Sequence, residues 1–197
     1  MKKILISFAL VAAAAVSAHA QLRVEALGNF ASYDFSGGIS NQTASSKFGF
    51  GLRGLYSLTP ETSSAGVELG LGYLMDQAYN SVTDATITIH NVQIPVHAFY
   101  NWEVGNAIIK PCVGLYAGYA VSGKTVVGSG SISVTNDPFE GDTGLKKFDV
   151  GTEDEILLCF GRYAIGVGTQ YSFLNLCKDS SVKVKYNSLY ITLGYSF

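Results

Sequence analysis

The sequence predicts an all-β fold, an eight-stranded antiparallel up-and-down β-barrel that crosses a membrane. Three observations predict it. Apolar and polar residues alternate with period two along most of the chain after residue 21. The alternating runs are mostly about 10–14 residues long, well beyond the roughly 5–6 of an average soluble strand. The gaps between the runs alternate long and short. A tilted strand needs about 9–11 residues to cross a bilayer.

Composition limits the function classes. Of 197 residues, 48% are hydrophobic and only 14% charged, with 22 Gly, 12 Tyr and 11 Phe. Soluble domains carry about 25% charged residues. Thirteen basic residues face 15 acidic ones, so no nucleic-acid partner is expected. Rich Gly, Tyr and Phe also exclude a disordered chain.

The first twenty residues read as a cleaved signal peptide (1–20). Lys2 and Lys3 form a basic start, Ile4 to Val16 an apolar stretch, and Ala18-His19-Ala20 a small-residue cleavage pattern. The apolar run is shorter than the roughly 20 residues of a spanning helix. No Cys follows the cleavage pattern, so a lipoprotein-type signal is not expected. The expected mature domain is 21–197, with 11 basic against 15 acidic residues. It holds no apolar run of 18, so strands must make any crossing.

Each strand follows from its alternation. In 22–33, Leu22, Val24, Ala26 and Phe30 oppose Arg23, Glu25 and Asn29. Phe48, Phe50, Leu52 and Tyr56 oppose Gly49, Gly51, Arg53 and Ser57. Val67, Leu69, Leu71 and Tyr73 oppose Gly66, Glu68, Gly70 and Gly72. Val92, Ile94, Val96, Ala98 and Tyr100 oppose Asn91, Gln93, Pro95 and His97. Ile109, Val113, Leu115 and Tyr119 oppose Lys110, Gly114, Tyr116 and Gly118. The sixth strand, 147–160, carries Phe148, Val150, Ile156 and Leu158. Tyr163, Ile165, Val167, Tyr171 and Phe173 oppose Gly166, Gly168, Gln170 and Ser172. In the last strand Leu189, Ile191, Leu193, Tyr195 and Phe197 oppose Tyr190, Thr192, Gly194 and Ser196.

Glu153-Asp154-Glu155 disturbs strand six, because either phase turns an acid towards lipid. A bulge could turn Asp154 inward, or the membrane strand could begin after Glu155.

In a membrane barrel the polar faces line the interior. Eight strands leave an interior that side chains fill. The expected lumenal network is Arg23, Glu25, Arg53, Glu68, Gln93, His97, Lys110 and Gln170. Its charges must pair, so a plugged core is expected rather than a large pore. Aromatic residues near strand ends suit the two interfacial girdles. The long gaps 34–46, 76–85, 122–146 and 175–183 fall outside the cell, and the short ones, 58–63, 102–106 and 161–162, in the periplasm.

Catalytic and metal chemistry find little support. Cys112, Cys159 and Cys177 lack metal-ligand spacing. Cys112 and Cys159 face inward by phase, and a bridge between them competes with buried thiols. His90 and His97 lie seven apart on one strand, on opposite faces, and cannot chelate together. A lipid-modifying hydrolase would need a Ser–His pair near the outer rim. His90 with Ser63, Ser64 or Ser81 is the only candidate for it. No catalytic residue, metal site or cofactor is assigned.

Residues 186–197, YNSLYITLGYSF, carry a further signal. They resemble the final strand of small outer-membrane barrels of the OmpX/opacity-like, porin-type β-barrel family. VQIPV through YNW (92–102), PCVGLYAG (111–118) and QYSFLNL (170–176) are similar to internal strands of that family. The resemblance implies a bacterial outer-membrane location. It implies that Leu189, Ile191, Leu193, Tyr195 and Phe197 form the signal read by the barrel-insertion machinery. The expected function is a non-enzymatic, monomeric barrel in contact with outer-membrane lipid. Its loops 34–46, 76–85, 122–146 and 175–183 would serve surface interaction, adhesion or envelope integrity through an unknown extracellular ligand. The alternatives are a narrow channel for small solutes or a lipid-modifying outer-membrane enzyme.

Overall fold

The computed structural model describes residues 22–36, 42–60, 63–128, 133–142 and 144–197. The expected signal peptide lies outside them. Among the described residues there are ten strands: β1 (Leu22–Ser36), β2 (Gln42–Ser57), β3 (Ala65–Asn80), β4 (Ala85–Tyr100), β5 (Trp102–Val104), β6 (Ala107–Val127), β7 (Val134–Asn136), β8 (Phe148–Phe160), β9 (Tyr163–Ser172) and β10 (Lys183–Ser196). Eight are long, and each pairs antiparallel with its neighbours. β1 pairs β10 from Arg23–Ser196 to Ser36–Lys183, and β4 pairs β6, which closes the barrel. β5 and β7 are short additions to the two ends of β6.

Paired residues followed around the barrel from Ile109 return to β6 at Tyr119, a shear of ten residues. Eight strands with that stagger leave an interior that side chains can fill. Alternation puts Phe50, Leu52, Leu69, Leu71, Val96, Leu115, Ile165 and Ile191 outside, each exposed. A soluble protein could not leave such a belt in water. Aromatic side chains edge the belt. Tyr56, Tyr100, Trp102, Phe160 and Tyr163 stand at the short-turn end, and Phe30, Phe48, Phe148, Tyr171 and Phe173 towards the loops. This matches an apolar band between two girdles.

The short turns fit their residues. Gly105 and Gly161 have φ of +62° and +55°, in the left-handed region where a side chain is strained. Each opens a two-residue connection, 105–106 and 161–162.

The outer connections differ from the expected gaps. The expected loop 76–85 is a four-residue turn, 81–84, because β3 and β4 pair up to Asn80–Ala85. The Asn80 side chain closes it by accepting the backbone N–H groups of Val82 and Thr83. In the expected loop 34–46, β1 runs to Ser36 and β2 starts at Gln42. In the expected loop 122–146, β6 runs to Val127 and forms a hairpin with β7. Beyond the band nothing stops a ladder from continuing, since its outward positions then need only tolerate water.

Strand six keeps nearly its expected span, and the two rearrangements considered for it are absent. β8 pairs with β6 in unbroken register from Tyr119–Phe148 to Ile108–Cys159, with neither a bulge nor a late start. Glu153 and Glu155 point into the lumen and are buried, while Asp154 faces outward.

The register also separates two of the cysteines. Cys112 pairs with Glu155, and Cys159 with Ile108, four residues further along each strand. At about 3.3 Å per residue the two Cα atoms are ~13 Å or more apart, far over the roughly 7 Å a disulfide spans. Cys112 is a buried thiol and Cys159 a half-buried one.

Candidate functional site: a filled lumen beneath a capped mouth

All eight side chains expected in the lumen are placed there and buried. Arg23 on β1 donates from Nε to Glu25 at 2.5 Å and from Nη2 to Glu68 on β3 at 2.8 Å. Lys110 on β6 donates to the other Glu68 oxygen at 2.6 Å and lies 3.8 Å from the Phe99 ring centroid. Arg53 on β2 binds Glu25, Glu153 and Glu155 at once. The imidazole of His97 on β4 lies between two carboxylates, Nδ1 3.3 Å from Glu68 and Nε2 3.6 Å from Glu153. Arg23, Arg53, Lys110 and His97 thus face four carboxylates. Pairing offsets the large cost of burying each charge.

Neutral groups carry the network upward. Gln170 on β9 donates to Gln93 and to Glu153, both at 2.9 Å. The Tyr190 hydroxyl donates to Glu153 at 2.9 Å, and Thr192 donates to Glu155. Tyr186 donates to Asp76 at 3.1 Å, and Asn29 and Asn91 each donate to Asp76 at 2.5 Å. Asp149 accepts from Tyr116 at 2.6 Å and from Ser172 at 2.5 Å.

Sequence reasoning missed Glu153, Glu155, Asp76 and Asp149 as members of this network. A signal for the first two existed. Arg23, Arg53 and Lys110 outnumber Glu25 and Glu68, so the expected set lacked an acid.

Apolar side chains close the outer mouth. Phe139 and Leu145 from the segment after β7, and Leu176 and Cys177 from the β9–β10 loop, pack on Tyr33, Ala78, Ile89, Ala120 and Val184. Backbone bonds fix the cap. Lys146 N–H donates to Leu176 O at 2.6 Å, and Lys178 N–H to Gly144 O at 3.0 Å. The Lys178 ammonium donates to Phe139 O at 2.6 Å. A cavity of about 30 Å³ remains beneath, beside Asn91, Gln93 and Asp149. That is room for about one water.

His90 is outside the lumen, with Nδ1 2.6 Å from the Tyr73 hydroxyl. Ser63 and Ser64 lie before β3, at the periplasmic end, while His90 pairs with Met75 near the other end. They cannot form a Ser–His pair with it. Among the described residues no group of three His, Cys, Asp or Glu could hold a metal. Leu189, Ile191, Leu193, Tyr195 and Phe197 lie along the outer face of β10 and its end. Phe197 N–H closes onto Leu22 O at 3.0 Å.

A closed eight-stranded barrel with an apolar outer belt, aromatic girdles and a charged, filled lumen defines a small outer-membrane β-barrel protein. The chain belongs to the family described as outer membrane protein beta-barrel domain, which matches residues 4–197. A bacterial outer-membrane location follows from that family.

Several solved structures are similar to the chain. A major outer membrane protein from Thermus thermophilus is 15% identical, with 91% of this chain and 100% of that chain covered and a TM-score of 0.50. Neisserial surface protein A is 15% identical, with 90% and 97% covered and a TM-score of 0.49. OprG from Pseudomonas aeruginosa is 15% identical, with 90% and 96% covered and a TM-score of 0.48. At 15% identity the likeness to the Thermus thermophilus protein concerns the fold alone. No curated protein matches the sequence.

Proposed function

We propose that this chain is a non-enzymatic outer-membrane barrel, exported through residues 1–20, whose working surface is its outer loops. The observation that carries this reading is the filled lumen. Arg53 ties β1, β2 and β8 together across the axis, and Phe139 and Leu145 seal the mouth above. A lumen occupied in this way offers bulk solute no path. The loop surface is then what faces the medium, and loops on rigid scaffolds carry function. The partners are outer-membrane lipid around the belt, the insertion machinery at the C-terminal strand, and an extracellular ligand at the loops. The role is surface interaction, adhesion or envelope integrity.

The test excises residues 128–136, which include all of β7, and follows cell adherence and detergent sensitivity. Adherence should fall while the barrel still shows a heat-dependent gel shift. Adherence and detergent resistance both unchanged, in this variant and in a full deletion, would refute the reading.

A further inference from the structure

Asp154 is the only charged side chain, among the described residues, that faces outward between the two girdles. It lies six residues from Phe148 and six from Phe160, the exposed aromatics at the two ends of β8. It therefore sits halfway down the wall. Lipid at that depth offers a carboxylate nothing to bond with.

Its β6 neighbour is the apolar Val113, but its neighbours on the β9 side are polar. Thr169 on β9 pairs directly with Asp154, and Thr152 pairs with Tyr171 one step higher. Tyr171 pairs with Asn187 on β10, and Asn187 with Ser32 on β1. Shear makes each step climb towards the loops. The result is a polar track from mid-wall to the outer rim across β8, β9, β10 and β1. A groove of about 560 Å³ follows it, lined by Asp154, Thr152, Thr169, Asn187, Ser32 and Ser46. Phe30, Tyr171 and Leu189 line the same groove with apolar surface.

We infer that this groove binds a single-chain amphiphile of the outer leaflet whose protonated amine pairs with Asp154. Charge supplies the first argument, because a carboxylate held in a low-dielectric wall is stabilised by a cation with hydrogen-bond donors. Size supplies the second. The groove holds on the order of twenty water-sized groups at ~30 Å³ each, enough for one chain and too little for a helix about 10–12 Å across. Shape supplies the third. The groove opens at the rim, where an amphiphile of the outer leaflet can enter. A second copy of this chain suits the site poorly, since two concave walls would meet and each would bring a carboxylate without a cation.

The test uses the full-length mature protein, purified folded in detergent, with hexadecylamine as probe and palmitic acid as control. Native mass spectrometry should show one amine adduct on the wild type and none with palmitate. Asp154→Leu should weaken amine binding by about tenfold or more, the loss of one charge-assisted bond. Thr169→Val should weaken it less. Both variants must keep the heat-dependent gel shift. Equal amine binding by wild type and Asp154→Leu would overturn the inference. A wild-type dimer that Asp154→Leu converts to monomer, with no adduct in either, would also overturn it and assign the wall to a second copy.

Discussion

Arg53 on β2 and Glu155 on β8 stand 102 positions apart in the chain and meet at 2.6 Å in the barrel interior. The same guanidinium holds Glu25 and Glu153. One side chain therefore neutralises carboxylates from two strands that do not touch around the wall. Arg53→Ala would take one cation away from three buried acids, of which Glu25 keeps Arg23 and Glu153 keeps His97 beside it. Breaking a buried pair by removing one partner costs about 3–5 kcal/mol. Urea unfolding of the refolded barrel in detergent should show a loss of at least that order, and an unchanged midpoint would refute the network's role in stability.

The outer belt makes a separate prediction. Leu71 on β3 and Val96 on β4 both face outward within the band. Replacing either by Arg should cost about 2–4 kcal/mol near the midplane. Folding titrations into lipid vesicles measure this, and two silent variants would mean the lipid face is misassigned.

Close packing in the lumen is testable at a glycine. A Cβ on Gly168 would collide with the Tyr190 ring and hydroxyl. Tyr190 donates to Glu153, so the clash reaches the ion network. Gly168→Ala should destabilise by about 1–3 kcal/mol, the usual cost of overpacking. The thermal midpoint of the gel-mobility shift reads it directly.

The mouth cap predicts a different pattern. Phe139→Ala removes a buried ring from the cap, and such truncations typically cost about 3–5 kcal/mol in a rigid core. A loop-borne cap relaxes more easily, so the low end is expected. Proteolysis within 137–147 should speed up, while the lower network stays intact. Unchanged cleavage would mean the cap is not held by Phe139.

One loop carboxylate predicts a pH response. Asp179 accepts the backbone N–H and hydroxyl of Ser181, both at 2.8 Å, and these bonds hold its carboxyl below the ordinary value. A depressed folded value means the turn's stabilisation is complete above the unfolded value of about 3.9. It is lost as pH falls through the folded value. The Ser181 amide resonance should hold steady from neutral pH down to about 4 and shift below that. A shift centred above about 5 would contradict the assignment.

Much of this architecture was legible because period two is a local property. Val92, Ile94 and Val96 declare their face without knowledge of any partner. The phase of Glu153, Asp154 and Glu155 was not local, since any phase exposes an acid. It is settled by register with β6 and by the demand of Arg53, a hundred residues earlier. The cap was illegible for the same reason. Phe139, Leu145 and Leu176 look like stray apolar residues in polar loops until the loops meet over the mouth. The β3–β4 turn looks too long in the sequence because strands outside the bilayer lose the apolar alternation that marks them.

The most direct test of a sealed lumen is electrical. The purified folded protein would be inserted into planar lipid bilayers and recorded at fixed voltage. The filled interior predicts a flat baseline with no unitary steps, although insertion is verified by the gel shift of recovered protein. Steady, reproducible unitary currents from the wild type would contradict it, and would make the ion network around Arg53 the lining of a channel.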